Sequence, residues 1–343
     1  MQAVILAAGK STRTYPLTLT KPKPLLKAAN KTLLEHNLDS LNNVVDEVII
    51  VVGYKKNQII KYLGNRYKNI RIKYVEQKKQ SGTGNALLVA EKYVKNKFIS
   101  LHGDDIYSRE DFKNILKYKY SILTSKAERP ELFGVLVEKN NVLSDLIEKP
   151  QKFISNLVSA SLYKLDKKIF LIIKKLKKSK RNEYELTDAI KKLASNESIH
   201  CVASKQWIPI GYAWDLLNAD KILRGNANII GKNSKIYGNV INSSIGNNCI
   251  IKGNVKNSII MDKTIIDKNT IVEDSVIGEN VHFKGKILAK NKTFSIINNK
   301  KVQFGRLGAI VGDNSKLVNV DIKAGCIISP NKKIKNKNIE HDV

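Results

Sequence analysis

The carboxyl-terminal third of the chain repeats short units that begin with isoleucine or valine and are separated by Gly, Asn and Ser. Three of these units follow Ser243, Ser258 and Ser275, which are 15 and 17 residues apart. Three steps of five or six residues complete one coil of a hexapeptide parallel β-helix, in which each aliphatic side chain points inward. An ordinary β-sandwich lacks such a period. The pattern therefore predicts a parallel β-helix over residues 226–343.

Residues 1–225 have a different organisation, in which short apolar strands alternate with helical patterns. This alternation predicts an α/β fold, with a Rossmann-like, mostly parallel sheet and helices on both faces. Its ligand site is expected at the carboxyl ends of the strands. We therefore predict two domains, 1–225 and 226–343. The predicted strands are Ala3–Leu6, Glu47–Val52, Ile70–Val75, Phe98–Leu101, Ser121–Thr124 and Phe133–Val137.

A loop suited to a triphosphate follows the first strand. Ala7, Ala8 and Gly9 have almost no side chain, so the backbone can turn its N–H groups toward phosphate oxygens. Arg13 can bind a phosphate in bidentate fashion, and Lys23 is a point charge held between two prolines.

This stretch resembles the signature of sugar-1-phosphate nucleotidylyltransferases, which is approximately Leu-Ala-Ala-Gly-x-Gly-Thr-Arg followed by Pro-Leu-Thr and Pro-Lys-Pro-Leu. Ser11 replaces the second glycine, and we expect a mild effect because serine is small and can donate to a phosphate. The resemblance implies that Arg13 and Lys23 are catalytic. It also implies that the nucleotide is bound by Leu6, Ala7, Ala8, Gly9, Ser11 and Thr12.

Two later segments match the same family. The segment from Val75 ends a strand and enters a glycine-rich turn, and the resemblance implies that it reads the pyrimidine base of UTP or dTTP. An amide side chain suits this task because it offers a donor and an acceptor together. In His102-Gly103-Asp104-Asp105, Asp104 matches the family's Mg²⁺ ligand. The matching nucleotide-binding residues in the first of these segments are Gln77, Gln80, Gly82 and Thr83.

The sugar-phosphate side also has counterparts in the chain. The resemblance implies that Gly134, Glu148, Lys149 and Ser159 bind the sugar-1-phosphate. Ser159 and Ser161 stand where the family has asparagine and glycine, so the identity of the sugar stays open.

The chain departs from the family at the second metal carboxylate. The family pattern is Trp-x-Asp-x-Gly, whereas this chain has Pro209 at the aspartate position of Trp207 to Gly211. Proline cannot coordinate a metal through its side chain. We therefore expect Asp104, the substrate phosphates and water to hold Mg²⁺ without a second protein carboxylate.

The carboxyl-terminal repeats resemble the left-handed β-helix of archaeal GlmU-type enzymes, which also N-acetylate an amino sugar phosphate and commonly trimerise. In that family a histidine acts as general base beside a tyrosine, and a small-residue loop follows. Lys268, Ile271 and the segment 284–287 occupy these positions here. A protonated lysine cannot accept a proton near neutral pH. We expect no acetyl transfer, although His282 lies nearby in sequence.

Composition narrows the remaining possibilities. The net charge is +29, but its lysines are spread along the whole chain, which favours a compositional bias over a nucleic-acid-binding patch. The densest run, 164–181, is predicted to be an amphipathic helix with a lysine face. The three cysteines have neither disulfide nor zinc spacing, and no apolar run reaches membrane-spanning length. We expect a cytoplasmic protein with no membrane partner.

The sequence as a whole predicts an Mg²⁺-dependent enzyme that joins an NTP to a sugar-1-phosphate and assembles as a homotrimer. Three alternatives stay open. The first is a bifunctional enzyme with added amino-sugar-phosphate acetyltransferase activity. The second is a catalytically weakened regulatory or assembly subunit that retains the nucleotide pocket. The third, nucleic-acid binding, depends only on charge.

Overall fold

The computed structural model describes residues 1–297 and 300–343, which form two compact units. The first unit contains Met1–Gly9 and Leu34–Pro209, and the second contains Lys10–Leu33 and Ile210–Val343. The segment that carries Arg13 and Lys23 thus clusters with Ile210–Val343. The domain boundary predicted between residues 225 and 226 stays a prediction. Over the described ranges, no helix has the length and hydropathy needed to cross a bilayer.

The first unit is built on a large sheet and a two-stranded ribbon. Its strands are β1 (Gln2–Ala7), β2 (Glu47–Val52), β3 (Arg66–Tyr67), β4 (Ile70–Glu76), β5 (Phe98–His102), β6 (Ile106–Tyr107), β7 (Tyr120–Lys126), β8 (Gly134–Lys139), β9 (Val142–Glu148), β10 (Leu157–Leu165), β11 (Ile199–Ala203) and β12 (Trp207–Ile208). All six predicted strands are present. One has the predicted bounds, four are longer by one to three residues, and the last begins at Gly134, one residue later than predicted, and ends at Lys139. β6 and β12 pair with each other outside the large sheet.

The large sheet has the strand order β8-β9-β11-β7-β10-β5-β1-β2-β4-β3. Strands β5, β1, β2 and β4 run parallel and form the predicted Rossmann-like part. β10 is antiparallel to both of its neighbours, β5 and β7, and β11 is again parallel to β7. Every residue of β1 and β2 is buried, as expected for central strands covered on both faces. The predicted α/β fold is confirmed.

The helices of this unit connect the strands. They are α1 (Leu33–Leu41), α2 (Lys56–Leu63), α3 (Thr83–Leu88), α4 (Arg109–Ile115), α5 (Lys168–Lys174) and α6 (Leu186–Ala194), with 3-10 turns at Glu91–Tyr93 and Pro130–Leu132. The helix predicted over 164–181 is wrong in extent, because Lys164 and Leu165 end β10 and only α5 is helical. The Lys164 ammonium donates to the carbonyl of Leu116 at 2.8 Å, which ties this lysine into the sheet.

The second unit contains the parallel β-helix, whose strands form three faces. The first face has Ile229–Ile230, Ser244–Ile245, Ile259–Ile260, Val276–Ile277, Ile310–Val311 and Ile327–Ile328. The second has Lys235–Ile236, Ile250–Ile251, Ile265–Ile266, His282–Lys284, Lys316–Val318 and Lys333–Lys335. The third has Val240–Ile241, Asn254–Lys256, Ile271–Glu273 and Lys286–Ile287.

The period of the β-helix agrees with the sequence. Ser244 pairs with Ile259 and Ile259 pairs with Val276, steps of 15 and 17 residues. The inward side chains, including Ile245, Ile260 and Ile277, are fully buried in one apolar core. The predicted left-handed hexapeptide β-helix is confirmed.

Three further parts complete the second unit. The segment 10–33 has 3-10 turns at Thr12–Thr14, Leu17–Leu19 and Lys23–Leu25 and a small hairpin of Lys27–Ala28 with Lys31–Thr32. Helix α7 (Asp215–Arg224) precedes the β-helix. An excursion between the coils carries the paired strands Lys290–Asn291 with Arg306–Leu307 and Phe294–Ile297 with Lys300–Gln303.

Candidate active site

In the first unit, the predicted phosphate-binding turn lies at the carboxyl end of β1. The carbonyl of Ala8 accepts the backbone N–H of Tyr54 at 3.0 Å and the side-chain amide of Gln80 at 3.4 Å. A Cβ at Gly53 would lie 2.9 Å from both the Ala8 Cβ and the Gln80 Nε2, so only glycine allows this close approach. The structure thus brings together two of the predicted nucleotide-binding residues, Ala8 and Gln80.

The predicted metal ligand belongs to the neighbouring strand. The N–H of Gly103 donates to the carbonyl of Leu6 at 2.9 Å, and a Cβ at this glycine would lie 2.8 Å from the side chain of Ile5. Asp104 therefore follows the end of β5 directly beside the end of β1. Asp104 is half-buried, so its carboxylate is accessible to a ligand.

Gln77 has a structural task in addition to its predicted one. Its side chain is 4% exposed and its Nε2 donates to the carbonyl of Gly82 at 3.2 Å and to Asn85 Oδ1 at 2.9 Å. Gly82 has φ +98°, and a Cβ there would lie 2.6 Å from the carbonyl oxygen of Tyr184. Gln77 thus stabilises the glycine-rich turn through these two hydrogen bonds. Its contact with a base stays a prediction.

The same turn also forms hydrogen bonds with the segment 184–186, which the sequence analysis did not single out. The Gly84 N–H donates to the carbonyl of Tyr184 at 2.8 Å, and the Tyr184 N–H donates to the carbonyl of Ser81 at 2.9 Å. The hydroxyl of Thr83 accepts the backbone N–H of Leu186 at 3.0 Å, at the start of α6.

The predicted sugar-phosphate residues Gly134, Glu148 and Lys149 lie together. Glu148 accepts hydrogen bonds from the Arg181 guanidinium and from the Thr187 hydroxyl, each at 3.2 Å. The Lys149 ammonium is 3.7 Å from the same carboxylate. A Cβ at Gly134 would lie 3.3 Å from Glu148 Oε2. The sequence analysis did not predict a site role for Arg181, because this residue lies at the end of the lysine-rich run 164–181, which is typical of a helix with a solvated face.

Arg181 is the centre of a cluster of acidic side chains. Its guanidinium also pairs with Glu183 at 2.9 Å and lies 3.6 Å from Glu185. Burial raises the pKa of Glu185, and the Arg181 charge opposes that rise. Burial and the nearby Glu148 also raise the pKa of Asp188. The cluster therefore gathers three carboxylates around the Arg181 guanidinium, with the Lys149 ammonium near one of them.

Ser159 is buried and already engaged. Its hydroxyl is 2.9 Å from the Tyr163 hydroxyl and accepts the backbone N–H of Ser161 at 3.1 Å. Ser161 has φ 55°, and the pairing of β10 with β7 shifts register between Ser159 and Tyr163. Burial raises the pKa of Tyr163 to about 12, so its phenol stays neutral. Ser159 shapes this bulge, and its contact with a sugar stays a prediction.

Pro209 follows β12, which pairs with the short strand β6 that begins two residues after Asp104. β12 pairs antiparallel with β6, with Trp207 opposite Tyr107 and Ile208 opposite Ile106, so continuing this register sets Pro209 opposite Asp105. The Trp207 indole N–H donates to Asp105 Oδ2 at 3.1 Å. Within residues 1–297 and 300–343, no three Cys, His, Asp or Glu side chains form a ready metal-binding group. The register supports the alignment that replaces the second carboxylate with proline.

In the second unit, the phosphate-binding loop continues through Ser11. Ser11 has φ 54° and ψ 57°, a left-handed backbone that favours glycine. Its carbonyl accepts hydrogen bonds from the Thr14 N–H at 3.2 Å, the Thr14 hydroxyl at 2.8 Å and the Thr18 hydroxyl at 2.9 Å. These bonds hold Thr12–Thr14, and so Arg13, in one short turn. The family signature therefore has glycine at this position because the backbone is left-handed there. The sequence analysis considered only the small size of serine and did not predict this conformation.

The two predicted catalytic cations share an acidic neighbour, Asp215. The Arg13 guanidinium lies 5.6 Å from the centre of the Tyr212 ring, and Lys23 is 4% exposed. Burial raises the pKa of Asp215, while hydrogen bonds from the backbone and the charges of Lys23 and Arg13 oppose that rise. The structure thus brings Arg13 and Lys23 near one partly buried carboxylate, which the sequence analysis did not single out.

The loop segment also has ion pairs with the β-helix. The Lys21 ammonium lies 2.7 Å from Glu279 and 3.0 Å from Asp313, and the Thr20 hydroxyl donates to Asp313 at 2.6 Å. Farther along, Lys27 pairs with Asp262 at 2.6 Å. These partly buried pairs fix the segment between Arg13 and the small hairpin to successive coils.

Comparison with known proteins agrees with this arrangement. Residues 2–225 match the nucleotidyl transferase family, and residues 225–316 match the GlmU-like C-terminal hexapeptide family. The chain belongs to the nucleotidyl transferase family. Its combination of a nucleotidyl transferase region with GlmU-like hexapeptide repeats confirms the family predicted from the sequence.

Two curated relatives of this nucleotidyl transferase family member match most of the chain. The bifunctional protein GlmU of Methanocaldococcus jannaschii is 38% identical over 92% of this chain and 88% of its own length. A bifunctional sugar-1-phosphate nucleotidylyltransferase/acetyltransferase of Sulfurisphaera tokodaii is 31% identical over 95% of this chain and 93% of its own. A UDP-glucose pyrophosphorylase solved with UDP-glucose shares the fold of the part that it matches, with TM-score 0.59 and 24% identity over 65% of this chain and 97% of its own.

Proposed function

We propose that the protein transfers a nucleotidyl group from UTP or dTTP to a sugar-1-phosphate of the glucose or N-acetylglucosamine type. The products are pyrophosphate and an NDP-sugar. The observation that carries this proposal is the hydrogen bond from Gly103 to Leu6, which sets Asp104 beside the phosphate-binding turn at the ends of two parallel strands. This edge is where α/β sheets bind their ligands.

The chemistry needs little from side chains beyond binding and charge. An oxygen of the sugar phosphate attacks the α-phosphorus in line and the bond to pyrophosphate breaks. Because this oxygen is already anionic, no general base is required. By the resemblance, Arg13 and Lys23 act on the triphosphate, where they stabilise the charge that develops on its oxygens. Lys23 is buried, and its charge acts on the carboxylate of Asp215.

Asp104 would hold Mg²⁺ together with the substrate phosphates. A hard cation prefers oxygen ligands, and a half-buried aspartate at a strand end is a suitable donor. When bound, the ion would neutralise phosphate charge. Pro209 leaves the position opposite Asp105 without a side-chain oxygen, so the site would depend strongly on substrate oxygens and water.

Glu148 is suited to bind sugar hydroxyls because Arg181 and Thr187 orient its two oxygens. Lys149 next to it is suited to the sugar phosphate. The family resemblance implied that Glu148 and Lys149 bind the sugar-1-phosphate. The contacts of Glu148 support this role, because each of its oxygens retains a lone pair that can accept a hydrogen bond from a sugar hydroxyl.

The decisive experiment measures pyrophosphate release with each pairing of UTP, dTTP, ATP and GTP with several sugar-1-phosphates. We expect turnover with a pyrimidine nucleotide. Arg13→Ala and Lys23→Ala should each lower kcat by at least ~100-fold with unchanged folding. Arg129→Ala is the matched control, because Arg129 is an exposed arginine that pairs with the exposed Glu131. Near-normal turnover in both loop variants would overturn the assignment of this loop.

Pro209 favours one second candidate, a regulatory or assembly subunit that binds nucleotide without turning it over. Isothermal titration with UTP separates the two, because binding without pyrophosphate release from any pair supports the regulatory subunit. A homotrimer formed through the β-helix is a further part of the proposal, and light scattering after gel filtration tests it. The three free thiols support the reducing, cytoplasmic setting that we propose.

A further inference from the structure

One aromatic side chain enters the loop region from an excursion of the β-helix. On the first face, Val276 pairs with Ile310, a step of 34 residues where neighbouring steps are 15 or 17. The additional residues form the excursion with its two strand pairs. Phe304 follows the second pair, and its N–H donates to the carbonyl of Thr293 at 3.0 Å. Coil closure does not require this excursion, because other coils close without one.

Phe304 is the outer member of an aromatic column. Its ring lies 4.4 Å from the Trp214 ring, centre to centre, at an angle of 30°. The Trp214 ring stacks on the Tyr212 ring at 4.7 Å and 9°. The Arg13 guanidinium lies 5.6 Å from the centre of the Tyr212 ring. Both the ring spacings and the cation distance are those of favourable aromatic and cation–π contacts.

The backbone beneath this column is fixed. One oxygen of Asp215 accepts the N–H groups of Gly211 and Tyr212, each at 2.7 Å. Trp214 precedes α7 directly and contacts the rings of both Tyr212 and Phe304. Tyr212 therefore has a constrained backbone and a ring stacked on Trp214, so we expect the ring position to depend on Trp214 and Phe304.

We propose that Phe304 is a positioning residue that holds Arg13 in place through Trp214 and Tyr212. The β-helix excursion thereby influences the orientation of Arg13 within the second unit. A guanidinium held against a ring samples fewer orientations, so less conformational freedom is lost when it binds a phosphate. The catalytic consequence rests on the proposed function of Arg13, whereas the positioning of Arg13 by the column can be measured separately.

The first experiment follows Arg13 directly in the full-length protein. Phenylglyoxal reacts with arginine, and peptide mapping by mass spectrometry gives the labelling rate of Arg13 relative to Arg129. Phe304→Leu should raise that relative rate by about threefold, since the ring contact shields the guanidinium. Phe304→Tyr retains the ring and should match the wild type. Phe294→Leu, in the same excursion but 51% exposed, should also match it.

The second experiment measures pyrophosphate release at saturating sugar-1-phosphate. Phe304→Leu should lower kcat/KM for the NTP by about three- to tenfold, with KM carrying most of the change and Tm unchanged. In an Arg13→Lys background, Phe304→Leu should have less than about twofold further effect, because residues that act as a unit are not additive. Tyr212→Leu should reproduce the loss, and it replaces Phe304→Leu if that variant fails to fold.

The outcomes separate the two proposals. Unchanged labelling of Arg13 in Phe304→Leu, or an equal loss of activity in the Arg13→Lys background, overturns the positioning role. An inactive wild type in which the labelling still responds to Phe304→Leu overturns the proposed catalytic function and leaves the positioning of Arg13 established.

Discussion

The Oγ of Ser258 accepts a hydrogen bond from the backbone N–H of Ser275 at 3.1 Å, one coil further along the β-helix. Ser243 binds the N–H of Ser258 in the same way at 3.0 Å, and Ser275 binds the N–H of Ala309 at 3.0 Å. Each of these serine hydroxyls also donates to the carbonyl two residues before it. The repeated serines thus form a buried ladder that satisfies the backbone at one corner of successive coils.

Removing one hydroxyl of this ladder should be costly. Ser258→Ala leaves the buried N–H of Ser275 without its acceptor, and we expect the free energy of unfolding to fall by about 1–3 kcal/mol. Urea unfolding followed by circular dichroism measures this. Ser244→Ala is the control, because the Ser244 hydroxyl is buried and has no hydrogen-bond partner among the residues that the structure describes. Equal losses in the two variants would contradict the role of the ladder.

Ser11→Gly should stabilise the protein. Ser11 holds a left-handed backbone at φ 54°, where a Cβ is unfavourable. Relief of that strain exceeds the additional chain entropy of glycine, so the expected gain is about 0.5–1 kcal/mol. Thermal unfolding checks the change. Ser11→Ala retains a Cβ and serves as the control, and a Ser11→Gly protein no more stable than Ser11→Ala would show that this backbone carries no strain.

Pro209→Asp should tighten the binding of Mg²⁺ by adding a protein carboxylate to the site. The half-saturating Mg²⁺ concentration in the pyrophosphate assay should fall about tenfold, since a second carboxylate would stand opposite Asp105. Pro209→Asn restores the same backbone N–H without a charge and separates the two effects. If Asp and Asn variants respond alike, the proline does not replace a metal ligand.

Glu148→Gln should weaken sugar-phosphate binding selectively. We expect KM for the sugar-1-phosphate to rise about tenfold, because hydrogen bonds to a charged acceptor are stronger than those to an amide. KM for the NTP should stay within about twofold of the wild type. Arg181 retains Glu183 as a partner, so the fold should persist. Glu131→Gln, on an exposed pair, is the control, and a parallel rise in KM for the NTP would argue against a sugar site.

The β-helix should not acetylate glucosamine- or galactosamine-1-phosphate. Lys268 replaces the expected general base, whose loss alone costs about 10²–10⁴ in rate. The His282 Nε2 lies 2.6 Å from Asp267 Oδ2, so this histidine already has a partner on the neighbouring coil. Incubation with acetyl-CoA and each amino sugar phosphate, followed by detection of free thiol, tests the prediction. Turnover that His282→Ala abolishes would show that the histidine acts as a base.

The strands and the coils of the β-helix could be predicted from the sequence because short, local residue patterns indicate them. The serine spacing gives the coil period, and the apolar runs give β1 and β2, since inward side chains recur at fixed short intervals. The antiparallel course of β10 between β5 and β7 lacks such a signal. Its direction depends on which strands lie beside it.

Local sequence also determined which residues can handle phosphate, since small side chains, Arg13 and an aspartate after a strand occur in short motifs. The tertiary structure alone decided how these residues are held. Arg181 meets Glu148 across 33 residues, and Phe304 meets Trp214 from an excursion of the β-helix. Such contacts follow from the packing of segments that are distant in the chain, and no residue spacing encodes them. Ser11 shows the same limit within a motif, because its left-handed φ is set by the bonds of its carbonyl to Thr14 and Thr18.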